Sequence, residues 1–120
     1  MKAAAQSVYY FGVYLYAVGL TLIVVPNFFL STLHIAETNE VWIRVTGILV
    51  FNIGFYYHRM GAANLTAFFK LTIPTRILVF LGFTAFVMLD YVSPILIGIG
   101  AIDLAGAAWT YFALKKENRI

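Results

Sequence analysis

The chain has 120 residues, of which 62% are hydrophobic and only 11% are charged, whereas soluble domains are about 45–50% apolar and about 25% charged. This composition indicates an integral membrane protein with no room for a soluble module. The absence of cysteine excludes disulfides, thiolate nucleophiles and iron–sulfur clusters, and a net charge of only +3 without a basic stripe argues against nucleic acid as a partner.

Four apolar segments predict four membrane-spanning helices. They cover residues 8–25, 41–57, 75–92 and 94–114, so that residues 1–120 form a single transmembrane domain. About 20 helical residues cross a hydrocarbon core of about 30 Å, and only helices or closed barrels satisfy the backbone in lipid. We therefore expect an all-α fold, an integral membrane four-helix bundle.

Residues 26–35 predict a short helix at the outer membrane interface, directly after the first span. Pro26 ends or kinks that span, because proline lacks the N–H that a helix interior needs. The residues after Pro26 form an apolar stripe along a short helix, namely Phe28, Phe29, Leu30 and Leu33. The alternative is that the first span continues through Pro26 and tilts.

The loop charges orient the four spans. Seven of the eight Lys/Arg residues fall on one side, namely Lys2, Arg59, Lys70, Arg76, Lys115, Lys116 and Arg119. The other side carries Glu37, Glu40 and Asp90, with Arg44 as its single basic residue. The positive-inside rule then predicts both termini in the cytoplasm.

Asp103 is a carboxylate inside the otherwise apolar fourth segment. A charge near the centre of a span costs roughly 2.5–3.5 kcal/mol on insertion scales, so a partner charge, a proton or water must offset it. Asp103 shares a helical face with small and polar residues, namely Gly100, Gly106, Ala107 and Thr110. We expect this face to point towards the other helices.

Arg44 is the partner that we expect for Asp103, because it lies about one turn inside the outer end of the second span. Arg76 begins the third span from the cytoplasmic side and is expected to extend to the inner interface. The pair has two interpretations. It is a structural ion bridge between spans two and four, or it lines a polar pocket or a proton path.

Further polar and aromatic residues complete the candidate site. Asn52, in the middle of span two, predicts a hydrogen bond between helices. The tyrosines that lie deep in span one need hydrogen-bond partners, and span two carries an aromatic stripe below Arg44. These candidates are Tyr14, Tyr16, Phe51, Phe55, His58 and Thr110. His34 and His58 lie near opposite membrane faces, so no metal site is expected.

Glycines predict close contacts between helices. Gly12 and Gly19 are seven residues apart on span one, and Gly47 and Gly54 are seven apart on span two. Small residues let membrane helices approach closely.

Several short motifs together resemble the DoxX-like family of small four-span bacterial membrane proteins. They are Val25-Pro26 with Phe28-Phe29-Leu30, Trp42-Ile43-Arg44-Val45-Thr46-Gly47, Arg76-Ile77-Leu78-Val79-Phe80, and Asp103-Leu104-Ala105-Gly106-Ala107-Ala108-Trp109. The resemblance covers nearly the whole chain. It implies a four-helix bundle with an arginine in span two and a cavity among the helices, and some members of the family are linked to quinone or sulfur redox systems.

These features favour a binding or accessory membrane protein that holds an apolar ligand, a quinone or a lipid, by its polar head near Arg44 and Asp103. Such a protein has membrane lipids as neighbours, and a homo-oligomer or a larger membrane complex as its expected assembly. The alternatives are a small proton-coupled transporter and a purely structural membrane protein. An enzyme ranks last, because the chain has no nucleophile motif, metal cluster or pair of neighbouring carboxylates.

Overall fold

A computed structural model describes residues 1–120 as five helices without any strand, and it confirms the all-α class. The helices are α1 (Ala3–Val24), α2 (Pro26–Thr32), α3 (Trp42–Ala62), α4 (Thr66–Met88) and α5 (Ile95–Lys116). Three of them, α1, α4 and α5, are long and apolar enough to cross a membrane. With 21 residues α3 is nearly as long, but its polar residues keep it out of that set, chiefly Arg44, Asn52, His58 and Arg59.

The predicted break after the first long helix is confirmed. α1 ends at Val24 and α2 begins at Pro26, where the missing proline N–H is harmless because the first helical position has no N–H partner. The helix that contains most of the predicted third span, residues 75–92, begins earlier than that span, since α4 begins at Thr66 and contains Pro74. Pro74 removes one backbone hydrogen bond from the helix. The part of α4 before Pro74 contains Phe69, whose side chain is completely buried at 0% exposure.

Four helices end in the same way, on a residue with left-handed backbone. These residues are His34, Asn64, Asp90 and Asn118, with φ between 56° and 59°. In each case the next N–H bonds back to the helix, for example from Tyr91 to Phe86 O at 2.9 Å. This is the Schellman motif, in which Asn and Asp tolerate positive φ better than most residues. The motif explains the positive φ of His34, which lies just after the end of α2.

The chain forms two compact units, one of residues Tyr9–Arg59 and the other of Met1–Val8 with Met60–Ile120. In the Tyr9–Arg59 unit, α1 and α3 run antiparallel with their backbones in contact. A Cβ added to Gly12 would lie 2.7 Å from the backbone nitrogen of His58, and one added to Gly19 would lie 2.6 Å from that of Phe51. The close contact predicted from the glycines is therefore confirmed.

In the second unit, α4 packs antiparallel against α5. Gly100 of α5 lies against the backbone of Phe80, since a Cβ there would be 3.1 Å from the Phe80 Cα. The first turns of α1 belong to this unit, where Val8 is fully buried. These contacts bring residues from three helices, α1, α4 and α5, to one place.

The two ends of the chain are joined in this second unit. Glu117, just after α5, accepts a 2.9 Å hydrogen bond from the backbone N–H of Ala4, which is one of the free donors at the start of α1. Arg119 forms a 2.8 Å ion pair with Glu117 and donates to Thr66 at the start of α4. Its guanidinium also lies 5.1 Å from the centre of the Phe69 ring.

Candidate functional site

A buried arginine is the most unusual feature of the second unit. Arg76 of α4 is only 2% exposed. Its Nη2 donates 2.8 Å hydrogen bonds to the hydroxyls of Thr72 and Thr110, and its Nε donates to the Thr72 carbonyl at 3.1 Å. A charge is buried at high cost unless it is paired and hydrogen-bonded. The threonines therefore hold the guanidinium in one position between α4 and α5.

The bonds of Arg76 continue into a chain of hydroxyl groups. The Ser7 hydroxyl donates to the Ala4 carbonyl at 2.7 Å and lies 2.7 Å from the hydroxyl of Thr110. Because a hydroxyl has one proton, Ser7 must accept from Thr110 while Thr110 accepts from Arg76. The donors thus all point the same way, from Arg76 through Thr110 and Ser7 to Ala4. Such aligned hydrogen bonds polarise and strengthen one another.

Asp103 lies on the same face of α5 as Thr110, seven residues earlier, which is about 10 Å along the helix axis. Its side chain is half-buried, and Arg76 is the cation whose charge acts on it. The hydrogen bonds of the Arg76 guanidinium go to Thr72 and Thr110.

The prediction for the Arg76 side chain is wrong. We expected its guanidinium to reach the inner interface, but it stays buried among protein groups because Thr72 and Thr110 offer oxygen acceptors. A signal was present in the sequence. Phe69, Thr72 and Arg76 follow the helical spacing of a buried face, and all three are buried. Ser7, outside the predicted spans, was also missed.

Arg44 has its structural partners within the Tyr9–Arg59 unit. Its Nη1 donates to the carbonyl of Ile23 and lies 3.5 Å from that of Val24. The last carbonyls of any helix need external donors, and α1 lacks a left-handed cap because Pro26 follows at once. Arg44 therefore caps α1. Asp103 belongs to the other unit, so the predicted pair of Arg44 with Asp103 stays a prediction.

The tyrosine and histidine predicted for the site do meet. The Tyr16 hydroxyl and Nδ1 of His58 share a 3.0 Å hydrogen bond between α1 and α3. Aromatic rings flank the pair, with Phe51 at 4.8 Å from Tyr16 and Tyr9 at 5.0 Å from His58, measured between ring centres. Both polar side chains are half-buried. Tyr16 therefore has a hydrogen-bond partner, as the sequence predicted.

Two candidates lie outside this group. Asn52 and Phe55 are exposed on α3, and their part in a ligand-binding site stays a prediction. α3 turns its glycines towards α1, and Asn52 lies on the opposite side. Tyr14 is half-buried and its ring lies 5.3 Å from that of Phe11. Thr110, the remaining candidate, is fully buried at the centre of the Arg76 network.

Comparison of the chain with protein-family models, with curated proteins and with solved structures finds no match. The resemblance to DoxX-like proteins therefore stays a prediction from the motifs. The described residues also include no group of three or more His, Cys, Asp or Glu side chains placed to hold a metal ion.

Proposed function

We propose that the chain is a small integral membrane protein in which α1, α3, α4 and α5 cross a bacterial inner membrane as a four-helix bundle. In this proposal both termini lie in the cytoplasm and α2 lies at the outer interface. The apolar length of α1, α4 and α5 supports it. For α3, support comes from the bonds that Arg44 and His58 make to α1, which lower the cost of placing these groups in lipid.

The function that we propose is the binding of an apolar ligand by its polar head at Asp103. One observation carries it: a half-buried carboxylate on the apolar helix α5, on which the charge of the buried cation Arg76 acts. An ionisable group inside a membrane is by default a functional site. The cation offsets part of the cost of the carboxylate, and a ligand that donates hydrogen bonds would offset more.

The charges restrict the class of ligand. A carboxylate only accepts hydrogen bonds, so the head of the ligand must donate them. A hydroxyl group donates a hydrogen bond without adding a second positive charge beside Arg76. A quinol, or a lipid with a hydroxyl head, has both these groups and an apolar tail. The resemblance to DoxX-like proteins, some of which are linked to quinone systems, points to a quinol.

Native mass spectrometry of the protein in mild detergent tests this proposal. Decylubiquinol is added to the wild-type protein and to Asp103→Asn, and the fraction of protein carrying one ligand is measured. We expect adduct on the wild type and much less on the variant. Decylubiquinone, which has no hydroxyl to donate, should bind weakly to both proteins.

Asp90→Asn is the matched control, because it makes the same chemical change in the exposed turn after α4. Asn also tolerates the positive φ of this position, which is 59°. The control should bind like the wild type. Equal adduct on all three proteins would mean that Asp103 does not hold the ligand, and no adduct on any of them would favour a purely structural protein.

A small proton-coupled transporter is the second candidate. The observation that favours it is the use of Arg44 as a cap for α1, because a proton-exchanging Asp103 must not be locked in a bond with that arginine. Reconstituted into liposomes with a pH gradient, such a transporter would move protons in a way that Asp103→Asn abolishes. A proton flux that is equal in wild type and variant would reject this candidate.

A further inference from the structure

Asn52 is a polar residue with no partner in the chain. It is the central residue of α3, with ten residues on either side, and its side chain is exposed. It makes no hydrogen bond within the chain, whereas Arg44 of the same helix bonds to α1 and His58 bonds to Tyr16. If α3 crosses the membrane as proposed above, this amide faces hydrocarbon, where an unsatisfied polar group is costly.

The residues around Asn52 form one exposed face. At 100° per residue, the side chains within about 60° of Asn52 are large and mainly apolar, except for Arg59 near the end of the helix. They are Val45, Ile48, Leu49, Phe55 and Tyr56, all exposed. The glycine side of α3, with Gly47 and Gly54, points in the opposite direction and is filled by α1. The exposed face is therefore a packing surface with a single amide at its centre.

We propose that this face, defined by Val45, Ile48, Leu49, Asn52, Phe55 and Tyr56, binds the same face of a second copy of the chain. An amide has a donor and an acceptor, so two Asn52 side chains related by a two-fold axis satisfy each other. A lipid tail offers neither group. Two copies inserted in the same orientation place their amides at the same depth.

The charge at the end of this face does not prevent the pairing. Arg59 lies on the same side of α3, seven residues after Asn52, which is about 10 Å along the axis. A long guanidinium side chain at this position reaches the lipid phosphates, where the like charges of two copies are screened. Amide bonds between membrane helices are modest, so we expect loss of Asn52 to weaken association about tenfold.

Cysteine cross-linking in cell membranes tests the proposal, and the natural absence of cysteine makes each introduced thiol unique. Ile48→Cys places a thiol on the proposed face, one turn from Asn52. Leu81→Cys is the control, on an exposed position of α4. After oxidation we expect a disulfide dimer of twice the chain mass from Ile48→Cys only. Adding Asn52→Leu, which leaves α3 more apolar, should reduce that dimer strongly.

Four outcomes would overturn the proposal. They are equal cross-linking at both positions, a dimer that Asn52→Leu leaves unchanged, a cross-linked species of another mass, and no cross-link at Ile48→Cys. The third would identify a different protein as the occupant, and the fourth would leave the face to lipid alone.

The inference rests on the proposal that α3 crosses the membrane, and a separate readout distinguishes the two. If a membrane-impermeant maleimide fails to label Ile48→Cys and no dimer forms, the dimer proposal is overturned but the membrane placement of α3 stands. If the maleimide labels it readily in intact membranes, the membrane placement of α3 is wrong.

Discussion

Arg76 and Thr110 are joined by a 2.8 Å hydrogen bond that ties α4 to α5, and Thr110 passes the connection to Ser7 of α1 at 2.7 Å. One buried hydroxyl thus links three helices. All three residues are at most 2% exposed, so water cannot replace a bond that is lost. The network holds the guanidinium that acts on Asp103, and its integrity should decide both stability and the electrostatics of the site.

We expect Thr110→Val to lower the free energy of unfolding by about 1–3 kcal/mol, because it leaves a buried guanidinium N–H without its acceptor while keeping the shape of the side chain. Unfolding of the purified protein in mixed detergent micelles measures this. Thr46→Val is the control, since the Thr46 hydroxyl is exposed and bonds only within α3. Its effect should stay within about 0.5 kcal/mol.

The contribution of Ser7 follows from a double-mutant cycle. Once Thr110→Val has broken the chain of hydroxyls, Ser7→Ala should cost less than it does in the wild type. Fully additive losses would mean that the Ser7–Thr110 hydrogen bond contributes nothing of its own.

We expect Gly12→Ala to destabilise the protein by about 1–3 kcal/mol, because its Cβ would meet the backbone of α3 rather than a flexible side chain. Thermal unfolding in detergent measures the change. Gly82→Ala is the matched control, since nothing lies within 4 Å of an added Cβ there. Alanine favours helix over glycine, so the control should be as stable as the wild type or more so. An equal loss in both variants would contradict the glycine contact.

Arg44 should act as a cap of α1. We expect Arg44→Met to lower stability by about 1 kcal/mol, the net value of a typical hydrogen bond. The combination with Asp103→Asn should be additive within about 0.5 kcal/mol, because Arg44 donates to Ile23 while Arg76 acts on Asp103. A double variant much more stable than the sum predicts would instead support the ion pair of Arg44 with Asp103.

Stability should fall in acid through Glu117. Burial raises the pKa of this carboxyl, but hydrogen bonds from Ala4 and Arg119 and the positive charges of Arg119 and Lys2 outweigh it, so the pKa lies below its usual value. The unfolded chain therefore binds the proton more readily than the folded chain. The stabilisation is complete above the usual glutamate pKa of about 4.3 and is lost as the pH falls through the lower folded value.

The change in stability between pH 6 and pH 3 measures this effect, and Glu117→Gln should make it smaller. Glu40→Gln, at an exposed position before α3, is the control and should keep the wild-type pH dependence. A Glu117→Gln protein with an unchanged pH profile would show that another group carries the acid sensitivity.

The sequence predicted the helical class, the break at Pro26 and the glycine contacts, because each depends on local chemistry that the residue types state directly. It did not show that α4 begins at Thr66, before the predicted third span, because the burial of Phe69 is a tertiary effect. The partners of the polar side chains were harder to predict. Arg76 and Arg44 are both long enough to reach several acceptors, and the choice between a threonine hydroxyl, a helix carbonyl and a carboxylate depends on helix rotations that composition does not fix.

The rotation of α3 explains the exposure of Asn52. A polar residue in an apolar segment is usually turned inwards, and that rule placed Asn52 in the core. Close packing of Gly47 and Gly54 against α1 decides the rotation instead, and it turns the amide outwards.

The central claim is that Asp103 accepts hydrogen bonds from the head of an apolar ligand. Isothermal titration calorimetry of decylubiquinol into the detergent-solubilised protein tests it most directly, with wild type, Asp103→Asn and the Asp90→Asn control compared. Charge-assisted hydrogen bonds are about twice as strong as neutral ones, so the account predicts about tenfold weaker binding to Asp103→Asn and wild-type affinity for the control. Equal affinity in all three proteins would contradict it.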